Sequence, residues 1–353
     1  MFRIGNKDVG GDHPVFIIAE AGVNHNGSLD LAREMVDAAR NSGADAVKFQ
    51  SFKTKHLLIE NIEKAPYQKL TTDQKETQTE MIQRLEIDEV FHAKIKAYCD
   101  QQGIMFLSTP YDTESLDLLL ELNVAAIKVA STDTTNLLFL EHIAKAGVPV
   151  IMSTGMSSLS EIKLAYDRLR DNGCSDISLL KCTSNYPTDI KEVNLRGMST
   201  LQDEFDAVIG FSDHTPGVGA TPYAVALGAK IVEKHYTLDK EMEGPDHKAS
   251  LDPVELKQWV DEVRKVEVML GSAELTPTSS EAATKKSLQK HLVLKNELTA
   301  GSRLDKTSIA AKRTGGVGIS AIDIDRVLGK ALIRNMGKDQ PLEWSDLDES
   351  NEV

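Results

Sequence analysis

The chain alternates short apolar runs with longer stretches in which apolar positions recur every three or four residues. Runs of four to eight residues rich in β-branched side chains read as strands, and the 3.6-residue recurrence reads as amphipathic helix. The predicted strands are VFIIAE (15–20), DAVKFQ (45–50), IMFLST (104–109), AAIKVA (125–130), PVIMST (149–154), ISLLKC (177–182), AVIGFS (207–212) and KIVEKH (230–235). Helices are predicted at 29–41, 89–102, 113–121, 136–146, 158–171 and 217–228, with a last one at 253–271. Strands separated by crossover helices imply a parallel sheet. Eight such units in this length fit a closed (β/α)8 TIM barrel better than an open doubly wound sheet. No G-x-G-x-x-G follows the first strand, which weakens a dinucleotide-binding reading.

The pattern changes after residue 273. Residues 274–288 are rich in Ser, Thr, Ala and charge and read as a linker. Residues 289–353 have shorter runs and more frequent turns, among them TGGVGIS, and read as a small β-rich second domain. The catalytic barrel is therefore expected to span 1–273.

Composition adds limits rather than detail. With 353 residues, 41% hydrophobic and 27% charged, the chain has the make-up of a soluble globular protein. No apolar run approaches membrane-spanning length, and the N-terminus lacks a signal-peptide pattern. Cys99, Cys174 and Cys182 have neither disulfide-framework nor metal-ligand spacing, so a cytoplasmic setting is expected. The net charge of −14 argues against nucleic acid as partner. It leaves room for a small anion, because a few lysines in a pocket reverse the local field.

The C-terminal strand ends of a barrel form its active-site face. Here they carry Glu20, Asn24 and His25, then Lys48 and Gln50, then Ser108 and Thr109, then Lys128 and Ser131. Ser153 and Thr154 follow, then Lys181, Thr183, Ser184 and Asn185, then Ser212, Asp213 and His214, and finally His235. Solvent exposure alone would also make strand ends polar. Three of these strands, however, hold a Lys inside an apolar run (AVKFQ, AIKVA, LLKCT), and a buried Lys is costly without an anionic partner. Converging lysines with hydroxyls around them suit a phosphate and a carboxylate held together. His214 and His235 end adjacent strands, and two imidazoles plus water make an open site for a divalent metal.

These residues resemble the sialic acid synthases, or nonulosonate synthases more widely. FIIAEAGVNHNGSLDLA, GADAVKFQSFKT, FLSTPYD, IKVASTDTTN, VIMSTGMSS, LLKCTSNYPT, GFSDHTPG and EKHYTLDK…GPDHKAS stand in the family's order. The C-terminal KRTGGVGIS…VLGKAL resembles the family's antifreeze-like SAF domain. ASTDTTN and RTGGVGI depart from the commoner GSGDxTN and RPGxGI.

The resemblance implies condensation of phosphoenolpyruvate with an open-chain N-acyl hexosamine. That acceptor is N-acetylmannosamine or 2,4-diacetamido-2,4,6-trideoxymannose, and phosphate leaves by C–O cleavage. It implies that Lys48, Thr109, Lys128, Ser131, Ser153, Asn185 and Ser212 hold phosphoenolpyruvate, and that Gln50, Tyr186, Asp246 and Arg313 bind the sugar. His214 and His235 would hold the metal, expected to be Mn²⁺ with Mg²⁺ or Co²⁺ as substitutes, and Glu20 would assist at the cationic carbon. It also implies a domain-swapped homodimer in which Arg313 completes the partner's site. His25 and His247 read equally as structural or as supporting groups. The alternatives are another phosphoenolpyruvate-dependent sugar-acid synthase, or a barrel that only displays a carbohydrate-binding domain.

Overall fold

The computed structural model describes residues 1–59, 62–64, 68–73 and 75–349. The chain divides into two compact units, Met1–Gly271 and Ser272–Val353.

The first unit opens with a hairpin of β1 (Phe2–Ile4) and β2 (Lys7–Val9) that the sequence reading did not foresee. Eight strands follow: β3 (Phe16–Gly22), β4 (Ala46–Ser51), β5 (Met105–Pro110), β6 (Ile127–Val129), β7 (Val150–Ser153), β8 (Ile177–Cys182), β9 (Val208–Asp213) and β10 (Ile231–His235). They form one sheet in the order β5-β4-β3-β10-β9-β8-β7-β6. Each hydrogen-bonded neighbour is parallel, and β5 packs against β6 without a ladder, so the barrel is nearly closed.

The strands are buried on both faces, which is why their sequences read as continuous apolar runs. Val15, just before β3, and Ile17, Ala19 and Ala21 along it pack towards the helices. Phe16 and Ile18 point the other way and join Ala46, Leu107, Ile151, Leu180 and Ile231 in the lumen. Phe2, Ile4 and Val9 of the hairpin belong to the same cluster and close the lumen at its N-terminal end. At Gly210 an added Cβ would lie 2.4 Å from the Ile231 carbonyl oxygen, so only glycine lets β9 approach β10 there.

The helices start and stop where local chemistry directs. Ser28 accepts from the Leu31 amide to open the helix Leu29–Ser42, and Gly43 ends it at φ 88°. Asp252 caps Pro253–Leu270 in a capping box. The helix expected at 217–228 is confined to Thr221–Ala226. Gly217 and Gly219 adopt φ of 59° and 61°, outside the helical region, and the Asp213 carboxylate accepts from the amides of Ala220 and Thr221.

The second unit pairs β11 (Lys290–Leu294) with β12 (Ile309–Arg313) antiparallel over a core of Leu292, Leu294, Leu304, Ile319, Leu332 and Leu342. The segment read as a linker carries an exposed helix, Ser279–Leu288, opened by a Thr278–Glu281 capping box. Among the described residues no helix is long and apolar enough to cross a membrane.

Candidate active site

Strand alternation decides which side chains enter the lumen. Above the apolar floor the inward positions are Glu20 on β3, Lys48 and Gln50 on β4, and Thr109 on β5. Lys128 on β6, Ser153 on β7, Cys182 on β8, Ser212 on β9, and Glu233 and His235 on β10 complete the ring. All of them line one cavity of about 450 Å³, together with Ser131, Ser184, Tyr186, His214 and Asp246.

Its base is an ionic lattice. Lys48 Nζ lies 2.7 Å from Glu20 Oε2 and 3.6 Å from Glu233 Oε2, and donates to Thr109 Oγ1 at 2.9 Å. Lys128 Nζ donates to Ser153 Oγ at 2.7 Å and lies 3.7 Å from Glu233 Oε1. Ser212 donates to the same Glu233 oxygen at 3.0 Å. Both lysines are at least nine-tenths buried. Two ammonium groups so placed, with hydroxyls beside them, form a dry site for a small polyanion that would compete with the carboxylates.

The two carboxylates are driven apart. Burial pushes the Glu20 carboxyl up to about 7; Lys48 opposes the rise and Glu233 adds to it. Burial acts upward on Glu233 as well, but the ammonium groups of Lys128 and Lys48 outweigh it and hold that carboxyl down to about 2. Glu233 is thus a fixed anion, whereas Glu20 exchanges its proton near neutral pH. Such a split separates a structural charge from a group that moves protons.

Across the cavity the rings of His214 and His235 are 5.4 Å apart, and the Tyr186 ring lies 4.1 Å and 5.5 Å from them. Nδ1 of His214 donates to the Thr183 carbonyl at 2.7 Å, a bond that leaves Nε2 as the lone-pair nitrogen. Burial, then the neighbouring His214 and Lys48, holds His235 well below the usual histidine range, so it is neutral, and its buried Nδ1 has no partner. Burial acts downward on His214, but Cys182 and the bond to Thr183 outweigh it and hold that ring above the usual histidine range, so a divalent cation on both rings would have to displace its proton. Among the described residues no group of three or more His, Cys, Asp and Glu side chains could hold one, so oxygens of water and substrate would complete the set.

The remaining predicted residues fall as follows. Gln50 donates to Glu20 Oε1 at 3.3 Å. Ser131 Oγ accepts from the Gly155 amide at 3.0 Å. Burial pushes Asp246 up to about 6. Asn185 is not in this cavity: it is exposed and donates to Glu192 Oε2 at 3.0 Å, while Ser184 lines the wall. Lys181 does not join Lys48 and Lys128 either. It sits one residue out of phase with the inward Leu180 and Cys182, and its ammonium donates to Thr183 Oγ1 at 2.8 Å, so the basin has two lysines rather than three. Arg313 is exposed at the end of β12 in the second unit. His25 is packed between the rings of Phe49 and Phe91, and His247 is hydrogen-bonded to Thr237 at 2.6 Å.

Two residues went unassigned in the sequence reading. Glu233 shares inward parity with His235, a signal that KIVEKH did contain. Cys182 lies 3.8 Å from His214 Nδ1, at the inward end of β8.

Fold and cavity together define a (β/α)8-barrel protein with a polar cup, two buried lysines at its base, at the C-terminal strand ends and a small β-rich appendage. Comparison with known proteins makes this specific. Residues 35–275 match the NeuB family and residues 290–348 match the SAF domain. The chain belongs to the NeuB family. It is 42% identical to the N,N'-diacetyllegionaminic acid synthase of Legionella pneumophila, over 98% of both chains. It is 38% identical to the human N-acetylneuraminate-9-phosphate synthase, over 95% of this chain and 93% of that one. The solved N-acetylneuraminic acid (sialic acid) synthetase of Leptospira borgpetersenii, in complex with citrate, superposes with a TM-score of 0.72 at 36% identity. That match covers 80% of this chain and 93% of the other.

Proposed function

We propose that the protein is a nonulosonic acid synthase that condenses phosphoenolpyruvate with an open-chain N-acyl hexosamine and releases phosphate. The observation that supports this most is the pair Lys48 and Lys128, buried at the base of the cup with Thr109, Ser153 and Ser212. Phosphoenolpyruvate carries a phosphate and a carboxylate on adjacent bonds, and this group of donors suits both.

The methylene carbon of phosphoenolpyruvate attacks the aldehyde carbon of the acceptor, forming the new C–C bond as the C=O π pair moves to the aldehyde oxygen, which takes a proton from solvent to become a hydroxyl. Gln50, Tyr186 and Asp246 stand above the anion site and orient the aldehyde. A divalent cation on His214 and His235, with Mn²⁺ the first choice and Mg²⁺ or Co²⁺ as substitutes, would supply Lewis-acid polarisation of the aldehyde oxygen. Bond formation leaves C2 of the former phosphoenolpyruvate electron-poor. Glu233, a permanent anion, stabilises that charge, and Glu20 takes the proton from the water that adds at C2. Collapse of the hemiketal phosphate breaks its C–O bond and expels phosphate. Arg313 completes the sugar site across a homodimer.

Phosphate release from phosphoenolpyruvate and an N-acyl mannosamine tests the reading. With ¹⁸O in the bridging position, the label is expected in the phosphate; label kept in the sugar acid would overturn the mechanism.

A further inference from the structure

One lysine that the strand pattern singles out stands outside the cup. Lys181 lies on the helix side of β8, and its ammonium donates to Thr183 Oγ1 at 2.8 Å and to the Val193 carbonyl. Among the described residues no carboxylate pairs with it; burial weakens its hold on the proton, and the Cys182 thiol is the group that opposes this. An ammonium has three hydrogens, so one donor is left over. A lysine in an apolar strand is costly without an anion. Lys181 lines a second cavity of about 500 Å³, a volume in the range of small-molecule sites.

This cavity is built behind β7 and β8. Ile162 of the helix Leu159–Asp171 and Leu201 of the helix Gly197–Glu204 give it a buried apolar floor. Thr154, Thr183 and Thr200 add hydroxyls. Met156, Cys182 and Ser184 line it on one side and the cup on the other. Gly155 closes the partition: its amide donates to Ser131 Oγ at 3.0 Å, and an added Cβ would lie 2.2 Å from Ser184 Oγ. Only glycine fits there, and it keeps the two cavities separate.

A single unpaired cation suits one negative charge. Glu192 also lines the cavity, exposed and accepting from Asn185 Nδ2 at 3.0 Å, and its charge disfavours a doubly charged anion such as phosphate. A carboxylate on Lys181 is the match. Threonine hydroxyls both donate and accept, which suits ligand hydroxyls, and Ile162 and Leu201 take a methyl group. We infer that Lys181 anchors a second binding site, behind β7 and β8, for a hydroxylated monocarboxylic acid. The sugar acid made by the synthase reaction belongs to this class, so the choice of probe rests on the reading above.

The test is equilibrium dialysis of the full-length protein against radiolabelled N-acetylneuraminate, without and with phosphoenolpyruvate. The two compete for Lys48 and Lys128 in the cup, so binding that saturating phosphoenolpyruvate fails to displace reports the Lys181 site. One equivalent per chain is expected to remain, and inorganic phosphate should not displace it. Lys181→Met should weaken this binding roughly tenfold or more, the worth of one hydrogen bond from a charged donor. Its kcat/KM for phosphoenolpyruvate should be unchanged. Thr200→Trp, at an exposed lining position, should fill the cavity without removing the cation, and it decides the matter if Lys181→Met does not fold. Complete displacement by phosphoenolpyruvate or by phosphate would overturn the inference, as would residual binding that is the same in the variants as in the native chain. A fall in kcat/KM for phosphoenolpyruvate in a folded Lys181→Met protein would place Lys181 in the cup and overturn it too. Absence of phosphate release by the native protein would sink the synthase reading and leave the dialysis count standing.

Discussion

Glu233→Gln is the sharpest probe of the ionic lattice. The substitution keeps the shape of the side chain and removes the anion shared by Lys48 and Lys128, which lie 3.6 Å and 3.7 Å from its oxygens. The structure sets the size of the effect. The carboxyl is taken from 4.5 to about 2 in the fold, and at 1.36 kcal/mol per unit that is on the order of 3 kcal/mol of stability at neutral pH. Loss of one partner from a buried ion pair falls in the same range, roughly 3–5 kcal/mol. The sign follows from the depressed value: the stabilisation is present above the unfolded carboxyl's 4.5 and is lost as pH falls towards 2. It should have dropped to roughly 2 kcal/mol by pH 3.5. Urea unfolding reads this directly. Trp259 is buried in the barrel core and Trp344 lies in the second unit, so a Trp344→Phe background makes tryptophan fluorescence report the barrel. A difference below about 1 kcal/mol at pH 7 would refute the reasoning, as would one that stays constant down to pH 3.5.

Lys128→Ala should leave the barrel folded and weaken phosphoenolpyruvate use by an amount equivalent to roughly 2–5 kcal/mol; an unchanged kcat/KM for phosphoenolpyruvate would contradict its place in the anion site. Exhaustive chelation should abolish turnover, Mn²⁺ should restore it, and His235→Ala should lower Mn²⁺ affinity as measured by calorimetry; full activity of the chelated enzyme would remove the metal from the mechanism. Glu20→Gln should abolish the rise of kcat through about pH 7 that a base of that pKa gives the native enzyme; the same pH–rate profile in both would clear Glu20 of proton transfer. Arg313→Ala mixed with Lys48→Ala should regain activity once subunits exchange, because one site in the heterodimer is then intact; confirmed exchange without activity would place Arg313 in its own chain's site or outside both.

The barrel strands were legible because burial on both faces leaves an uninterrupted apolar run, as in Val15–Ala19, that no surface element needs. The helix Gly197–Glu204 was missed because a glycine start and a polar composition mask its period. The hairpin at the N-terminus was missed because a three-residue strand carries too little pattern. The lysines were legible as a type but not as a set. LLKCT looks like AVKFQ, and only the register of β8 against β9 shows that Leu180 and Cys182 face the lumen while Lys181 does not. Glu233 was hidden for a related reason: a carboxylate in a strand reads as a solvated end until the two lysines that neutralise it are brought across from β4 and β6. Asn185 and Ser184 differ by one position in a loop, where no periodicity assigns a direction.

The hairpin that seals the lower end of the barrel makes the cup a blind alley. In the proposed mechanism phosphoenolpyruvate's donors lie just above the sealed floor and the sugar's lie over them, so a molecule seated on Gln50, Tyr186 and Asp246 would stand between the lysines and the open end. On that mechanism loading would be sequential, with the phosphate donor first and the sugar as the stopper that shuts water out of the chamber while the new bond forms. Unloading would run in reverse: the nine-carbon product would have to clear the entrance before the next phosphoenolpyruvate could reach the lysines.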